Sequence, residues 1–269
     1  MFESYLRLWN LVADGEPIVT PAARLLPVRR RGEPAMLKLS CNLDQQRGAA
    51  LMKWWDGDGA AQVFAQDDNA LLMERATGAR SLAAMARGSD DDEACRILCA
   101  TVARLHRRRP GPLPELVPLT GWFRELEPAA AKHGGILVRS LETAQMLLAD
   151  PREKVVLHGD LHHENVLDFG HRGWLAIDPH ALAGERGFDF ANIFTNPDLS
   201  DPSRPVATQP GRFHRRLTVV SEAANIERRR LLQWILAWTG LSAAWLLREQ
   251  DPLAQVNLRI AALAAGELA

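Results

Sequence analysis

Cysteine is scarce: Cys41, Cys95 and Cys99 are the three in 269 residues, too few and too unevenly placed for a disulfide framework or paired CxxC zinc half-sites. A reducing cytoplasm is the expected home. Basic excess is also missing, since 32 lysines and arginines face 33 aspartates and glutamates. That balance argues against general nucleic-acid binding. No apolar run reaches the roughly 20 residues of a bilayer span; the most apolar segment, LLQWILAWTGLSAAWLL, is interrupted by Gln233, Thr239 and Gly240 and reads as a core helix. The opening MFESYLRLWNLVADGE carries acidic residues inside its apolar run and no small-residue cleavage site, so it does not read as a secretory signal, and the mature chain is expected to begin here. Internal repeats and low-complexity segments are lacking as well.

What is present is a chain of 47% hydrophobic and 24% charged residues, able to bury a substantial core and long enough for two modest lobes. From Pro17 to Leu39 the pattern is strand-like, with RLLPV and AMLKL separated by RRRGEP, a turn carrying Gly32 and Pro34. DQQRGAALMKWW then has helical spacing, ended by the glycines of DGDGA. Two apolar runs around Asp67, Asp68 and Asn69 predict a hairpin. Ser89, Asp90 and Asp91 can cap a helix running to about His106, and Cys95 and Cys99 share one face of it as packing residues. The four prolines of RRRPGPLPELVP predict a loop. Helical periodicity resumes from Trp122 to about Leu148 and again after Ile226. The expected architecture is a mixed amino-terminal third joined to a mostly helical remainder.

The chemistry concentrates in HGDLHHENVLDFGHRGWLAIDP, His158 to Pro179. Val166 to Phe169 and Trp174 to Ile177 read as two short strands joined by Gly170 to Gly173. With Val166 opposite Ile177, Asn165 and Asp178 leave the hairpin at one end, their backbones about 5 Å apart. Asp160, five residues ahead of Asn165, can fold back over that end. Such hard oxygen donors suit Mg²⁺, which takes its other ligands from water and phosphate. Asp, four residues, then Asn is also the spacing of the phosphoryl-transfer loop of kinases. A competing zinc site would use His158, His162 and His163, perhaps with Glu164. Gly159 and the strand at Val166 leave little helix to present them together, and HExxH is absent. Instead, His158 and one neighbouring imidazole are expected to orient the loop.

The sequence resembles the aminoglycoside phosphotransferases, most closely the streptomycin 6-phosphotransferase group. The likeness runs through PAMLKL, WWDGDGAA, LLMERA, HGDLHHENVLDF, GWLAIDPH, FDFANIFTNPDLSDP and LAWTGLSAAW, nearly the whole chain. It implies an α+β, two-lobed protein-kinase-like fold, with a small β-rich nucleotide lobe over residues 1–77 and a larger, mostly helical lobe over 78–269. It also implies ATP and Mg²⁺ as cofactors and an aminocyclitol hydroxyl, the 6-hydroxyl of streptomycin, as acceptor. Carried over by motif, Asp160 is the catalytic base, Asn165 and Asp178 are the metal ligands, and Lys38 meets the nucleotide phosphates. Met73, Glu74 and Arg75 in LLMERA form the adenine hinge, while His158 and Asp189 support the loop. A monomer acting on a small molecule, without nucleic acid or membrane, is expected.

The motif departs from that pattern in two places. The helix after Lys38 has no glutamate to pair with it, leaving Gln45 or Asp44, and the phosphate loop TPAARLLPV offers Thr20 but neither glycine nor serine. The alternatives kept open are a kinase of another small alcohol or hydroxylamine-type compound, and a catalytically silent nucleotide- or drug-binding module. Guanidinium groups on a streptomycin-like acceptor call for carboxylates. Glu185, Asp198, Asp201, Glu222 and Glu227 are available, but each reads first as a surface charge and none is assigned as a contact.

Overall fold

The computed structural model describes residues 2–20, 23–40 and 43–269; Cys41 and the Pro21–Ala22 part of the expected phosphate loop lie outside the described residues. The amino-terminal part contains α1 (Glu3–Leu8), β1 (Leu11–Ala13), β2 (Ile18–Val19), β3 (Arg24–Arg30), β4 (Glu33–Leu39), α2 (Leu43–Trp55), β5 (Val63–Asp67) and β6 (Ala70–Glu74). Its strands form one antiparallel sheet in the order β1-β3-β4-β6-β5, with β2 paired to β3. Side chains alternate across such a sheet. Ala35, Leu37 and Leu39 therefore join Leu26, Val28, Ala70 and Leu72 in a small core under Tyr5, Leu6 and Trp9, while Leu71 and Met73 turn to the other face, against α2. Lys38, opposite Leu71, falls on that second face and is buried. Pro34 stands inside β4 rather than in the predicted turn. Pairing of β4 with β6 starts only at Ala35, so no ladder bond is lost for want of its N–H.

The remainder holds α3 (Leu82–Arg87), α4 (Asp91–Leu105), β7 (Val117–Pro118), α5 (Leu119–Trp122), α6 (Leu126–His133), α7 (Ile136–Ala149), β8 (Lys154–Leu157), β9 (Val166–Asp168), β10 (Trp174–Ala176), β11 (Leu182–Glu185), α8 (Phe188–Ala191), α9 (Arg212–Ala224), α10 (Arg228–Arg248) and α11 (Ala254–Leu268). Helix α10 is buried from Arg230 to Ala244 apart from Gln233 and sits against α7 and α11, as a helix with so broad an apolar surface must. Among the described residues no helix is long and apolar enough to cross a membrane. Cys95 and Cys99 are buried in α4, and burial pushes the Cys95 thiol up to about 12. The long predicted helix from Trp122 breaks at Gly134 and Gly135, both at positive φ. Helix α9 was not expected from the sequence, although its buried Phe213, Leu217, Val220 and Ala224 recur at helical spacing; it also buries Arg216.

The two parts are tied at the β9–β10 hairpin. Ala61 N–H donates to Ala176 O at 2.9 Å, Ala176 N–H to Gly59 O at 2.9 Å, and Gly78 N–H to Asp168 O at 2.9 Å. Helix α2 approaches from above so closely that a Cβ at Gly48 would lie 2.2 Å from the carbonyl oxygen of Pro179. Only glycine allows that approach, and it sets α2 directly over the segment following Asp178.

Candidate active site

The hairpin forms, with a register one residue from that expected: Val166 pairs with Ala176, and Ile177 N–H donates to Asn165 O at 2.9 Å. Turn formation adds a short 3-10 turn at Gly170–Arg172, which shifts the partner strand. Asn165 and Asp178 still leave the hairpin at the same end. Asp178 adopts φ of +60°, a left-handed conformation that costs a non-glycine residue energy and is held by its surroundings.

The loop ahead of β9 is pinned from below. The buried Asp189 carboxylate, at the start of α8, accepts the N–H groups of His158 (2.9 Å) and Gly159 (2.8 Å) and a bond from His106 Nε2 (2.8 Å). Burial opposes its ionisation, but the bond from His106 and the surrounding donors outweigh it and hold the pKa below the ordinary value. His158 is fully buried; its Nε2 donates to Ile177 O (2.9 Å) and its Nδ1 accepts Asp160 N–H (3.2 Å). This arrangement fixes one tautomer and clamps the loop to the end of the hairpin.

Asp160 emerges from that clamp one-third exposed. Asn165 Nδ2 donates to its Oδ2 (3.0 Å) and to its backbone carbonyl (2.8 Å), and Asn192 Nδ2 donates to its Oδ1 (2.9 Å). Burial works against the charge, yet His162, with Nε2 3.6 Å from Oδ2, and the further imidazoles His180 and His158 bring the pKa down to about 2. The carboxylate is thus ionised at neutral pH and aimed by two amides. Because Asn165 spends its NH₂ on Asp160, its Oδ1 is left as an acceptor. Asp178 is 37% exposed and gives Oδ1 to Lys38 Nζ at 2.6 Å. These are hard oxygen donors of the kind Mg²⁺ takes, so the residues fit such an ion.

Lys38 therefore finds its partner in Asp178, 140 residues away, rather than in Gln45 or Asp44. Gln45 lines the same recess, with Gly48, Met52, Met73 and Asp178, while Asp44 lies 3.4 Å from Arg47. The ion pair crosses from sheet to hairpin, which helix-local reasoning could not reach. At the expected hinge, Met73 is buried facing the recess, but the side chains of its neighbours turn elsewhere: Glu74 pairs with Arg172 (2.7 Å) and Arg75 with Asp14 (2.5 Å). Glu74 N–H is also taken, by Gln62 O at 2.8 Å. Thr20 closes its own loop by accepting Ala23 N–H at 3.0 Å.

The imidazoles do not converge. His163 is buried with neither ring nitrogen hydrogen-bonded, and burial together with Arg216 keeps it neutral, its pKa well below the usual value. Among the described residues no cluster of three or more His, Cys, Asp or Glu is arranged to hold a metal. Of the acidic residues considered for a cationic acceptor, Glu185 is buried on Arg230 (2.6 Å) and Trp234 Nε1 (2.7 Å), and Asp198 is buried accepting the N–H groups of Val206 and Ala207. Asp201 binds Ser203 and Arg204, and Glu227 faces Arg152. His106 and Asn192 were not foreseen. His106 meets Asp189 across 83 residues with no local signal, whereas Asn192 stands three residues after Asp189 in FDFANIF and could have been suspected. A separate groove of about 920 Å³, lined by Trp54, Arg108, Leu113, Leu116 and Lys154, shares His106, Glu185 and Trp234 with these residues.

A strand lobe carrying a buried lysine, a helical lobe carrying an aspartate-to-asparagine loop, and a second aspartate bridging them define the protein-kinase-like small-molecule phosphotransferases. The aminoglycoside phosphotransferase APH(4)-Ia has the same fold, with a TM-score of 0.67 at 15% identity over 98% of this chain and 97% of that one. The chain belongs to the aminoglycoside/hydroxyurea antibiotic resistance kinase family, which it matches over residues 8–250. It is 56% identical over 259 residues to a streptomycin 3''-kinase of Klebsiella pneumoniae, covering 95% of this chain and 97% of that protein. A streptomycin 6-kinase of Streptomyces griseus is 32% identical over 263 residues, covering 88% and 79%.

Proposed function

We propose that this protein transfers the γ-phosphoryl group of ATP to a hydroxyl of streptomycin and so inactivates the drug. The observation that carries the reading is the Asp160 carboxylate, ionised, held by Asn165 and Asn192, and standing on a loop anchored beside the Lys38–Asp178 pair. In this reading the acceptor hydroxyl gives its proton to Asp160 as its oxygen bonds to the γ-phosphorus and the bond to the ADP oxygen breaks. With so little covalent work to do, positioning and charge neutralisation carry the rate. Lys38 neutralises phosphate charge from the sheet lobe, residues 1–77, while residues 78–269 hold the acceptor. Mg²⁺, held by Asn165 and Asp178, would neutralise further phosphate charge. Met73 and the backbone around it would border the adenine.

The 3''-hydroxyl is the better-supported position of attack. The relative named for it shares 56% identity, against 32% for a relative named for the 6-hydroxyl, so the 6-hydroxyl expected from the sequence is the second reading. We place the enzyme in the cytoplasm as a monomer, where ATP is supplied and the Cys95 and Cys99 thiols stay reduced. The test is ATP turnover with streptomycin and with hydroxyurea, followed by phosphorus-coupled NMR of the product. Transfer to streptomycin abolished by Asp160→Ala is the expected result. No transfer, or a rate untouched by that substitution, would refute the reading, and phosphate at the 6-position would reverse the choice of hydroxyl.

A further inference from the structure

A run of aromatic rings leaves the Asp160 loop on one side and returns to it on the other. His180 donates its N–H to His158 O at 2.7 Å, and a Cβ on Gly159 would sit 3.0 Å from the Cβ of His180, so the imidazole stands against the loop itself. Its ring centroid is 5.0 Å from that of Trp122. Trp122 meets Trp245 edge to face at 5.5 Å, and Trp245 meets Trp238 likewise at 5.7 Å. Trp238 Nε1 then donates to Asn192 Oδ1 at 3.3 Å, and Asn192 holds Asp160. Trp238 and Trp245 are seven residues apart on α10, two turns on one face, while Trp122 ends α5.

Core packing accounts for Trp238, which is 5% exposed, but Trp122, Trp245 and His180 are only half-buried. Glu185 and Asp198, two of the five carboxylates considered for a cationic acceptor, are consumed within the fold. A guanidinium beside the Asp160 loop would meet these ring faces, and planar guanidinium stacks well on indole.

Building on the proposed streptomycin kinase activity, we propose that Trp122 and Trp245, with His180, form the wall that binds a guanidinium group of the acceptor by cation–π contact and so sets acceptor specificity. Each indole face is worth roughly 2- to 30-fold in acceptor affinity. Trp245→Leu and Trp122→Leu should each raise the KM for streptomycin about tenfold while the KM for ATP stays at the parent value, and Trp245→Phe should recover part of the loss because it restores a π face. The unchanged KM for ATP reports an intact fold. A KM for streptomycin within twofold of the parent in both leucine variants would overturn the proposal, as would a phenylalanine variant no better than leucine. If the parent transfers no phosphate to streptomycin, the proposed function fails separately, and the wall is read directly from quenching of tryptophan emission by methylguanidinium. Saturable quenching lost in Trp245→Leu supports the wall; unsaturable quenching equal in both proteins rejects it.

Discussion

Replacing Asp189 by asparagine removes one acceptor oxygen at a place where no water can substitute. The carboxylate receives three donors: His158 N–H and His106 Nε2 on Oδ2, and Gly159 N–H on Oδ1. Asparagine brings one oxygen and one NH₂. Turned to serve the two donors at the first position, it sets NH₂ against Gly159 N–H, and turned the other way it opposes His158 N–H. Either orientation leaves a buried donor unsatisfied, about 1–3 kcal/mol, and the remaining bonds lose their charge assistance, so the total is about 2–4 kcal/mol. At about 2–4 °C per kcal/mol for a chain of this size, Tm should fall by roughly 5–15 °C. Gly159 precedes Asp160, so the lost anchor also lets the carboxylate drift, and kcat should fall about 10- to 100-fold, with the KM for ATP much less affected. Because the Asp189 pKa is depressed in the fold, its contribution is fully present above its unfolded pKa of about 3.9 and lost as pH falls through the lower folded value. The variant should therefore lose less stability than the parent across that acid range. Thermal unfolding at several pH values and steady-state kinetics test this. A Tm and kcat matching the parent would refute the bracing argument, and a lowered Tm with unchanged kcat would refute its link to Asp160.

Gly48→Ala places a methyl 2.2 Å from Pro179 O, so α2 must lift away from the segment after Asp178; a KM for ATP raised several-fold is expected, and parent-like kinetics would count against that approach. Arg216→Met leaves the buried Asp91 with Arg212 Nη1 at 3.2 Å after losing Arg216 Nη2 at 2.7 Å, and should destabilise by about 3 kcal/mol in urea titration. It should recover most of that when Asp91→Leu is added. His162 has its pKa raised: burial lowers it, but Asp160 outweighs burial. Its stabilising contribution is thus present below its unfolded pKa of about 6.5 and lost as pH rises through the higher folded value. His162→Gln should flatten that alkaline fall in the urea midpoint, and a fall as steep as the parent's would show that His162 is not its source.

The elements that hold the site were legible wherever the signal was short-range. AMLKL was read as a strand, which the fold bears out, and turn residues marked both the β5–β6 and the β9–β10 hairpins. Asp160, Asn165 and Asp178 were visible because a loop followed by a tight hairpin brings near neighbours in sequence to one end. The register of that hairpin was missed by one residue, since the geometry of the Gly170–Arg172 turn decides it. Helix α9 went unread although Phe213, Leu217, Val220 and Ala224 keep helical spacing, and Arg216 is tolerated inside through Asp91 and the carbonyls of Ile193 and Asn196.

By itself, the amino-acid order pointed to strands β2 to β6, the β9–β10 hairpin, most helices and the three oxygen-bearing residues, because periodicity and turn chemistry act over a few residues, whereas β1, β7, β8 and β11 went unread. Tertiary structure alone decided that Lys38 meets Asp178, that His106 and Asp189 brace the loop, and which carboxylates remain for a ligand. A buried polar group must find a partner, and that partner is whichever group the packing of distant elements brings within hydrogen-bond reach.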